Sequence, residues 1–559
     1  MFDDIDLTAI QDENARQLIL RLLNLIEKLS ADLCEAQAEI QRLRDEINRL
    51  KGEQGKPKIQ GNTPKLPKEA SNHSSEKERQ KRRRHTKGSK KAQIHIDREQ
   101  IAAVDQASLP IDAEFKGYAD VVVQDILVKT DNILFHQEKY YAASTHQSYQ
   151  AELPRGYEGQ FGPGIKALIP TLYFGMNTSE PKILEFFEYF GISISEGELS
   201  NLLIKDQAEF HAEKDEVYEA GLRSSPWQHT DDTQTRVDGQ NQHCHVLCNP
   251  VYTVYQTLPK KDRLSVLDVL RHGRARVFRL NREALGYLEN LHFSKANSQV
   301  LRDWCSEQDL DEPTFLARLD VLLPDLGAQQ RKAVIDAAAV AAYHVEKDFP
   351  VTQALLCDDA PQFNWLTYAM MLCWVHEGRP YKKLMPVIPL HQQLLEGFRK
   401  SFWEYYDQLL AYRQKPTPEE RERLEAEFDH LFATRTGYEA LDQRIAKSQA
   451  KKDSLLLVLK HPELPLHNNP AELGARQRVR KRDVSFGPRT QDGVRAWDTF
   501  MSLAETTQKL GLSFYQYIHD RISGANSIPR LADLVEKAAK ELNLGASWAT
   551  ATATSTPTY

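Results

Sequence analysis

The chain has 559 residues, 41% of them hydrophobic, which supports two to four folded domains and excludes a chain disordered throughout. Six cysteines (Cys34, Cys244, Cys248, Cys305, Cys357, Cys373) are too few and too irregular for a disulfide framework, and no apolar run suits a signal or membrane segment, so a cytoplasmic setting without membrane contact is expected. The net charge of −7 conceals an asymmetry, because residues 52–93 carry thirteen Lys/Arg against four Glu, a net of +9 that leaves −16 elsewhere and points to nucleic acid as partner of the basic parts.

In the segment 1–51, Ala15, Ile19, Leu22, Ile26, Leu29, Leu33, Ala36, Ile40, Leu43, Ile47 and Leu50 alternate spacings of four and three. One helix cannot bury such a seam alone, so a leucine-zipper-like coiled coil is expected, making a homodimer or higher oligomer. Residues 52–93, rich in Gly, Pro, Ser, Asn and Lys, read as a basic flexible linker. Its run Lys81, Arg82, Arg83, Arg84 suits a non-specific phosphate-binding arm as well as it suits a plain solvated tether. Residues 94–159 read as a small β-rich unit, with strands expected at 120–128 and 133–143. Residues 160–222 read as helical. Within them 181–190, Gly191 and 195–203 have the form helix, turn, helix, with Ser193 or Ser195 as cap; this is either a helix-turn-helix that binds DNA or an ordinary hairpin.

The catalytic part is expected at 223–525, followed by a C-terminal helix and disordered tail at 526–559. A strand at 227–237 carries Asp231 and Asp232, two short strands follow at 243–247 and 251–257, and a short helix at 264–270 stops before Gly273. Helical insertions are expected at 278–347 and 382–451. Between them an apolar strand at 352–357 ends in Asp358-Asp359; a helix is expected at 363–368, and a strand-like run at 370–375 ends at His376. Asn469-Pro470 is a helix-entry signal that puts Glu472 in a first turn, followed by Arg476, Arg478, Arg480, Lys481 and Arg482. This order of elements is an α/β, ribonuclease H-like arrangement, in which three acids distant in sequence can meet at one sheet edge and hold two divalent cations. Magnesium is the expected metal, with manganese as the substitute. His243, Cys244, His245 and Cys248 form a zinc-like set, with Cys373 and His376 as a second pair, but strand alternation sends the first set to opposite faces.

Several stretches resemble one family closely. His229-Thr230-Asp231-Asp232-Thr233, Cys373-Trp374-Val375-His376, Asn468-Asn469-Pro470-Ala471-Glu472, and Arg480-Lys481 followed by Phe486 are similar, in order, to motifs of DDE-class bacterial transposases of the insertion-sequence sixty-six family. The resemblance runs from about 110 to 520. It implies Asp231, Asp358 and Glu472 as a catalytic, metal-binding triad, with Asp232, Asp359 and His376 as lesser candidates. Phe363 then keeps the family's acid-to-aromatic spacing from Asp358. Arg476, Arg478, Arg480, Lys481 and Arg482 are expected to grip DNA. The implied function is transposition: cleavage at the terminal inverted repeats and strand transfer into target DNA, in a bacterial cytoplasm, with companion proteins of the same element as potential partners. The alternatives are a ribonuclease H-like nuclease without strand transfer and a catalytically inactive, zipper-dimerised DNA-binding protein. Leu473 replaces an arginine of the family, Arg482-Asp483 departs from its Lys-Asn-type pair, and the 278–347 insertion is unusual for it.

Overall fold

The computed structural model describes residues 10–50, 95–105, 109–110, 113–126, 129–289 and 293–551. Lys81, Arg82, Arg83 and Arg84 lie outside them, as do the rest of the 52–93 linker and the tail beyond 551. Among the described residues no helix is long and apolar enough to cross a membrane.

Glu13–Leu50 forms one helix of 38 residues, and its first half is docked on the rest of the described chain. Leu23 is buried there, and Asn24 bridges to the Gly437 carbonyl at 2.8 Å and the Glu439 amide at 2.9 Å. Glu27 accepts the amides of Val387 and Ile388 at 3.0 and 2.8 Å. It therefore caps the helix Pro389–Gln414, whose N-terminal dipole favours a carboxylate. Beyond this point the apolar seam is open: Leu29, Leu33, Ile40, Leu43 and Ile47 are exposed.

The small β unit differs from expectation. Its antiparallel hairpin is β1 (Lys139–Ala142) with β2 (Gln147–Gln150), and the described residues of 120–128 form no strand. Val121, Val123 and Ile126 are exposed, so no partner surface rewards their β propensity. Helices Glu180–Glu188 and Glu196–Ile204 flank Gly191, whose φ of +69° suits glycine. Ser195 is the cap of the second helix, accepting the Glu198 amide at 3.2 Å.

The centre is a five-stranded mixed sheet. β3 (Trp227–Val237), β4 (Gln240–Asn249) and β5 (Tyr252–Leu258) form an antiparallel meander. A helical insertion follows, holding the two-residue pair β6 (Val277–Phe278) and β7 (Leu310–Asp311) and ending with helix Ala328–His344. β8 (Ala354–Cys357) then joins β3 in parallel, and β9 (Ala369–Leu372) joins β8, giving the order β5-β4-β3-β8-β9. β8 is apolar on both sides because it separates two cores. Leu355 and Cys357 enter one, with Tyr252, Tyr255 and the helices before and after the sheet; Ala354 and Leu356 enter the other, with Trp374 and the helical block after it.

The sheet's β5 edge is closed by a helix. In Gln491–Lys509, Asp498, Ser502 and Thr506 accept the amides of Thr257, Tyr255 and Thr253 at 2.7, 2.9 and 3.2 Å. Four helical residues advance about 6 Å and two strand residues about 6.8 Å, so the steps match and no edge amide of this row is left bare.

Two expected elements break. The stretch 363–368 is not a helix: Pro361–Phe363 is a single 3-10 turn, and Trp365 takes φ +69°. The run 370–375 is split, since β9 stops at Leu372 and helix Trp374–Lys383 begins. The cause is Trp374, whose amide goes to the Leu466 carbonyl at 3.0 Å and whose indole N–H goes to the Leu455 carbonyl at 2.9 Å inside the second core.

Candidate active site

Asp231 lies midway along β3. The parallel register pairs His229 with Leu356, and two further residues bring Asp231 level with Asp358 just past β8. Glu472 comes from the helix Asn469–Ser485, with Pro470 in its first turn. Asn468 locks that helix to β3. Its side-chain amide donates to the Thr230 carbonyl at 2.7 Å, and its oxygen meets His229 Nδ1 at 3.0 Å. With the Asn468 side chain so engaged, no side-chain cap forms at this helix terminus. Gly474 seats the helix against the sheet, its carbonyl accepting the Tyr255 hydroxyl at 3.1 Å, and a Cβ there would sit 2.9 Å from Val246 Cγ1.

The three acids differ electrostatically. Burial pushes the Asp231 carboxyl up to about 7, opposed by the Asp232 amide, which donates to Asp231 Oδ1 at 2.9 Å; the charges of Asp358 and Glu472 raise it further. Burial also raises Asp358. Burial works the same way on Glu472, but His376 and Arg379 outweigh it and hold that carboxyl at about 2. His376 Nδ1 is 3.1 Å from Glu472 Oε1, and Arg379 Nη2 donates to Glu472 Oε2 at 3.0 Å. The imidazole is raised to about 10 by Cys373 and by Glu472, against its burial.

Buried, unsatisfied oxygens test whether the site fits cations. Asp358 Oδ1 is buried and makes no hydrogen bond, whereas Glu472 Oε1 is held by the His376 imidazole. A buried carboxylate oxygen left bare beside a second carboxyl of raised pKa is what a hard divalent cation would satisfy, so the donor set fits. The neighbouring acids are committed elsewhere. Asp359 pairs with Lys451 at 2.5 Å, and Asp232 faces Lys261 at 3.6 Å and Gln362 at 3.5 Å.

The basic run of the helix is sorted by helical phase. Arg476 and Arg480, four apart, are exposed. Arg478 is buried, 3.3 Å from Asp498 and 3.0 Å from Thr257 Oγ1, with its guanidinium 4.7 Å from the Trp497 ring centroid. Lys481 is buried with its ammonium 3.0 Å from the Tyr173 ring centroid, and Arg482 bonds the Gln234 carbonyl. The expectation that all five grip phosphates is corrected: Arg478 and Lys481 face the first core. Two features escaped sequence reading. Arg379 could have been found three residues after His376, on the same helical face. A groove of about 550 Å³ joins the short basic run Lys260, Lys261 and Arg263 after β5 to Lys332 of the helix Ala328–His344, and that distant fourth member had no signal.

His243, Cys244, His245 and Cys248 bring no three ligand atoms together among the described residues, as alternation along β4 predicts. His245 is instead bonded to the Lys260 carbonyl at 3.1 Å. His376 sits in the first turn of a helix rather than at a strand end.

A mixed α/β domain with this acid set is the kind of domain that transposases carry. The family model described as "Transposase IS66 family" matches residues 337–496, a span that includes Asp358 and Glu472. The chain is also 34% identical over 317 residues to the uncharacterized protein y4jO of Sinorhizobium fredii (strain NBRC 101917 / NGR234), an alignment covering 56% of this chain and 98% of that one. No solved structure matches the chain. The chain belongs to the IS66 transposase family, and a general role in transposition, with DNA as partner, follows from that membership.

Proposed function

We propose that the chain is an active DNA transposase whose catalytic domain is ribonuclease H-like and whose Asp231, Asp358 and Glu472 bind magnesium or manganese. The sheet order β5-β4-β3-β8-β9, three strands antiparallel and two added in parallel, supports that fold assignment. The observation that carries the mechanism is the gathering of Asp231, Asp358 and Glu472 at one sheet end, with a bare oxygen on Asp358. Divalent cations bound there would act as Lewis acids, activating the attacking oxygen and neutralising the leaving one.

The chemistry is a pair of phosphoryl transfers. Water attacks phosphorus at an element end, its P–O bond forms as the P–O3′ bond breaks, and the 3′-hydroxyl is released. That hydroxyl then attacks a target phosphodiester, exchanging one P–O bond for another without an outside energy source. Arg476 and Arg480 hold the backbone on the solvent side of the Glu472 helix, and Lys260, Lys261, Arg263 and Lys332 hold it in the groove beside Asp232. Asp231 is kept from premature ionisation by its burial; Asn468 fixes the distance between the Glu472 helix and β3.

The test is cleavage and strand transfer on an end-containing duplex, with DNA binding measured in parallel. Asp231→Asn, Asp358→Asn and Glu472→Gln are expected to lower magnesium-dependent turnover by three orders of magnitude or so and leave binding within about threefold, since phosphate contacts come from other residues. Asp359→Asn and Asp232→Asn are expected to be milder. Full activity in Glu472→Gln would overturn the assignment. Cleavage without strand transfer would make the chain a nuclease.

A further inference from the structure

We propose that Cys373, His376 and Glu472 form a binding site for a soft or borderline divalent transition ion such as Zn2+, distinct in donor chemistry from the carboxylate set and sharing Glu472 with it. One ligand atom from each residue lies within 4.8 Å of the others. A tetrahedral ion with bonds of about 2.0–2.3 Å spans such separations, and the pattern of three protein ligands leaves a fourth position open.

The local structure explains why these residue types meet. Cys373 is the N-cap of helix Trp374–Lys383 and His376 lies three residues on, so both project from one side of a first turn. The chain before Glu472 is tied alongside: the Trp374 amide bonds the Leu466 carbonyl at 3.0 Å, and the Asn468 amide donates to Cys373 Sγ at 3.3 Å. His376 Nδ1 and Glu472 Oε1 are 3.1 Å apart in an ion pair that an arriving ion would replace. An ion that displaces the imidazole proton would meet both of these atoms and the Cys373 sulfur together. The site opens into a cavity of about 270 Å³ that also contains Asp358, Arg444 and Lys451, giving a path for the ion and room for an exchangeable fourth ligand.

The sulfur donor decides the metal class. Magnesium and calcium take oxygen donors, whereas sulfur with imidazole selects zinc, cobalt and their neighbours. In the metal-free chain Arg379 competes, donating to Glu472 Oε2 at 3.0 Å and contacting His376 Nε2. Its side chain is half-exposed, so it can swing outward when an ion arrives. If the magnesium-dependent reading above holds, an ion here draws Glu472 away from Asp231 and Asp358, and zinc antagonises the reaction.

The experiment uses the full chain, stripped with chelator under reducing conditions and titrated with Co2+. A near-ultraviolet thiolate-to-cobalt charge-transfer band is expected, saturating at one ion per chain and displaced by Zn2+. Cys373→Ser should abolish the band; His376→Asn and Glu472→Gln should weaken Co2+ binding about tenfold or more, and Arg379→Ala should strengthen it. Folding of each variant is checked by circular dichroism, and should Cys373→Ser not fold, the His376→Asn and Arg379→Ala shifts decide. No band, or an unchanged band in Cys373→Ser or His376→Asn, overturns the site. A band that millimolar Mg2+ neither weakens nor shifts leaves the site standing and overturns the shared use of Glu472. Since the band does not depend on DNA chemistry, failure of the transposase mechanism would leave it intact.

Discussion

Lys481 shows how far a residue's surroundings can reverse its meaning. In sequence it is one cation of a basic run; in the structure burial pushes its ammonium down to about 6, Arg478 adds to that, and Glu180 opposes it. The folded chain therefore binds fewer protons than the unfolded chain between about pH 6 and the ordinary lysine value. Stability from this group is present above that ordinary value and is lost as the pH falls through about 6. Lys481→Met is expected to melt higher than the parent at pH 7, by on the order of 1 kcal/mol, with the gap closing towards pH 10. DNA affinity should stay within about twofold, because a buried amine facing Tyr173 reaches no phosphate. A lower melting temperature with weaker DNA binding would return Lys481 to the phosphate-gripping set. The triad candidates were legible as residues, since acids after a strand or in a helix's first turn stand out. The sorting of the arginines was not: it follows from which helical face meets the sheet.

At the scale of an element, the N-terminal helix carries two surfaces. The heptad seam is legible because it repeats. The docking surface is not, because it rests on the polar Asn24 and Glu27, whose partners lie more than 350 residues away in the chain. Docking occupies the first half and leaves Leu29, Leu33, Ile40, Leu43 and Ile47 exposed, an apolar stripe suited to a second copy of the same helix. Leu29→Asp combined with Leu43→Asp is expected to convert a dimer to a monomer in sedimentation velocity without lowering the melting temperature of the rest, as both side chains face solvent within one chain. A parent chain that sediments as a monomer at high concentration would defeat the coiled-coil reading. The succession of strands along the chain was similarly legible from run lengths and turn residues. The break after Leu372 was not, because an apolar run of six cannot tell a strand from a strand that turns into a helix to bury Trp374.

At the scale of the molecule, the candidate site lies where two cores meet. β8 divides them, and the Glu472 stretch crosses between them: Leu464 and Leu466 belong to the second core and Ala475 to the first. Sequence could mark the three acids but not this division, since each core gathers helices from distant parts of the chain. The arrangement makes metal binding a link between cores. Without cations, Asp231 and Asp358 are buried carboxyls that resist ionisation, and Glu472 is held by His376 and Arg379 instead. With cations, carboxylates from β3, the end of β8 and the crossing helix would be tied to one point. Magnesium bound by the folded chain alone should therefore stabilise it by about 2.7 kcal/mol at a hundredfold excess over Kd. The expected result is a melting temperature that rises by a few degrees in Mg2+ relative to chelator, and a rise that disappears in Asp231→Asn and in Glu472→Gln. Arg379→Ala should enlarge the rise, because it removes a competitor for Glu472 while leaving all three acids in place. Equal melting in Mg2+ and chelator for the parent chain would mean that the acids do not act as one site, whatever their spacing.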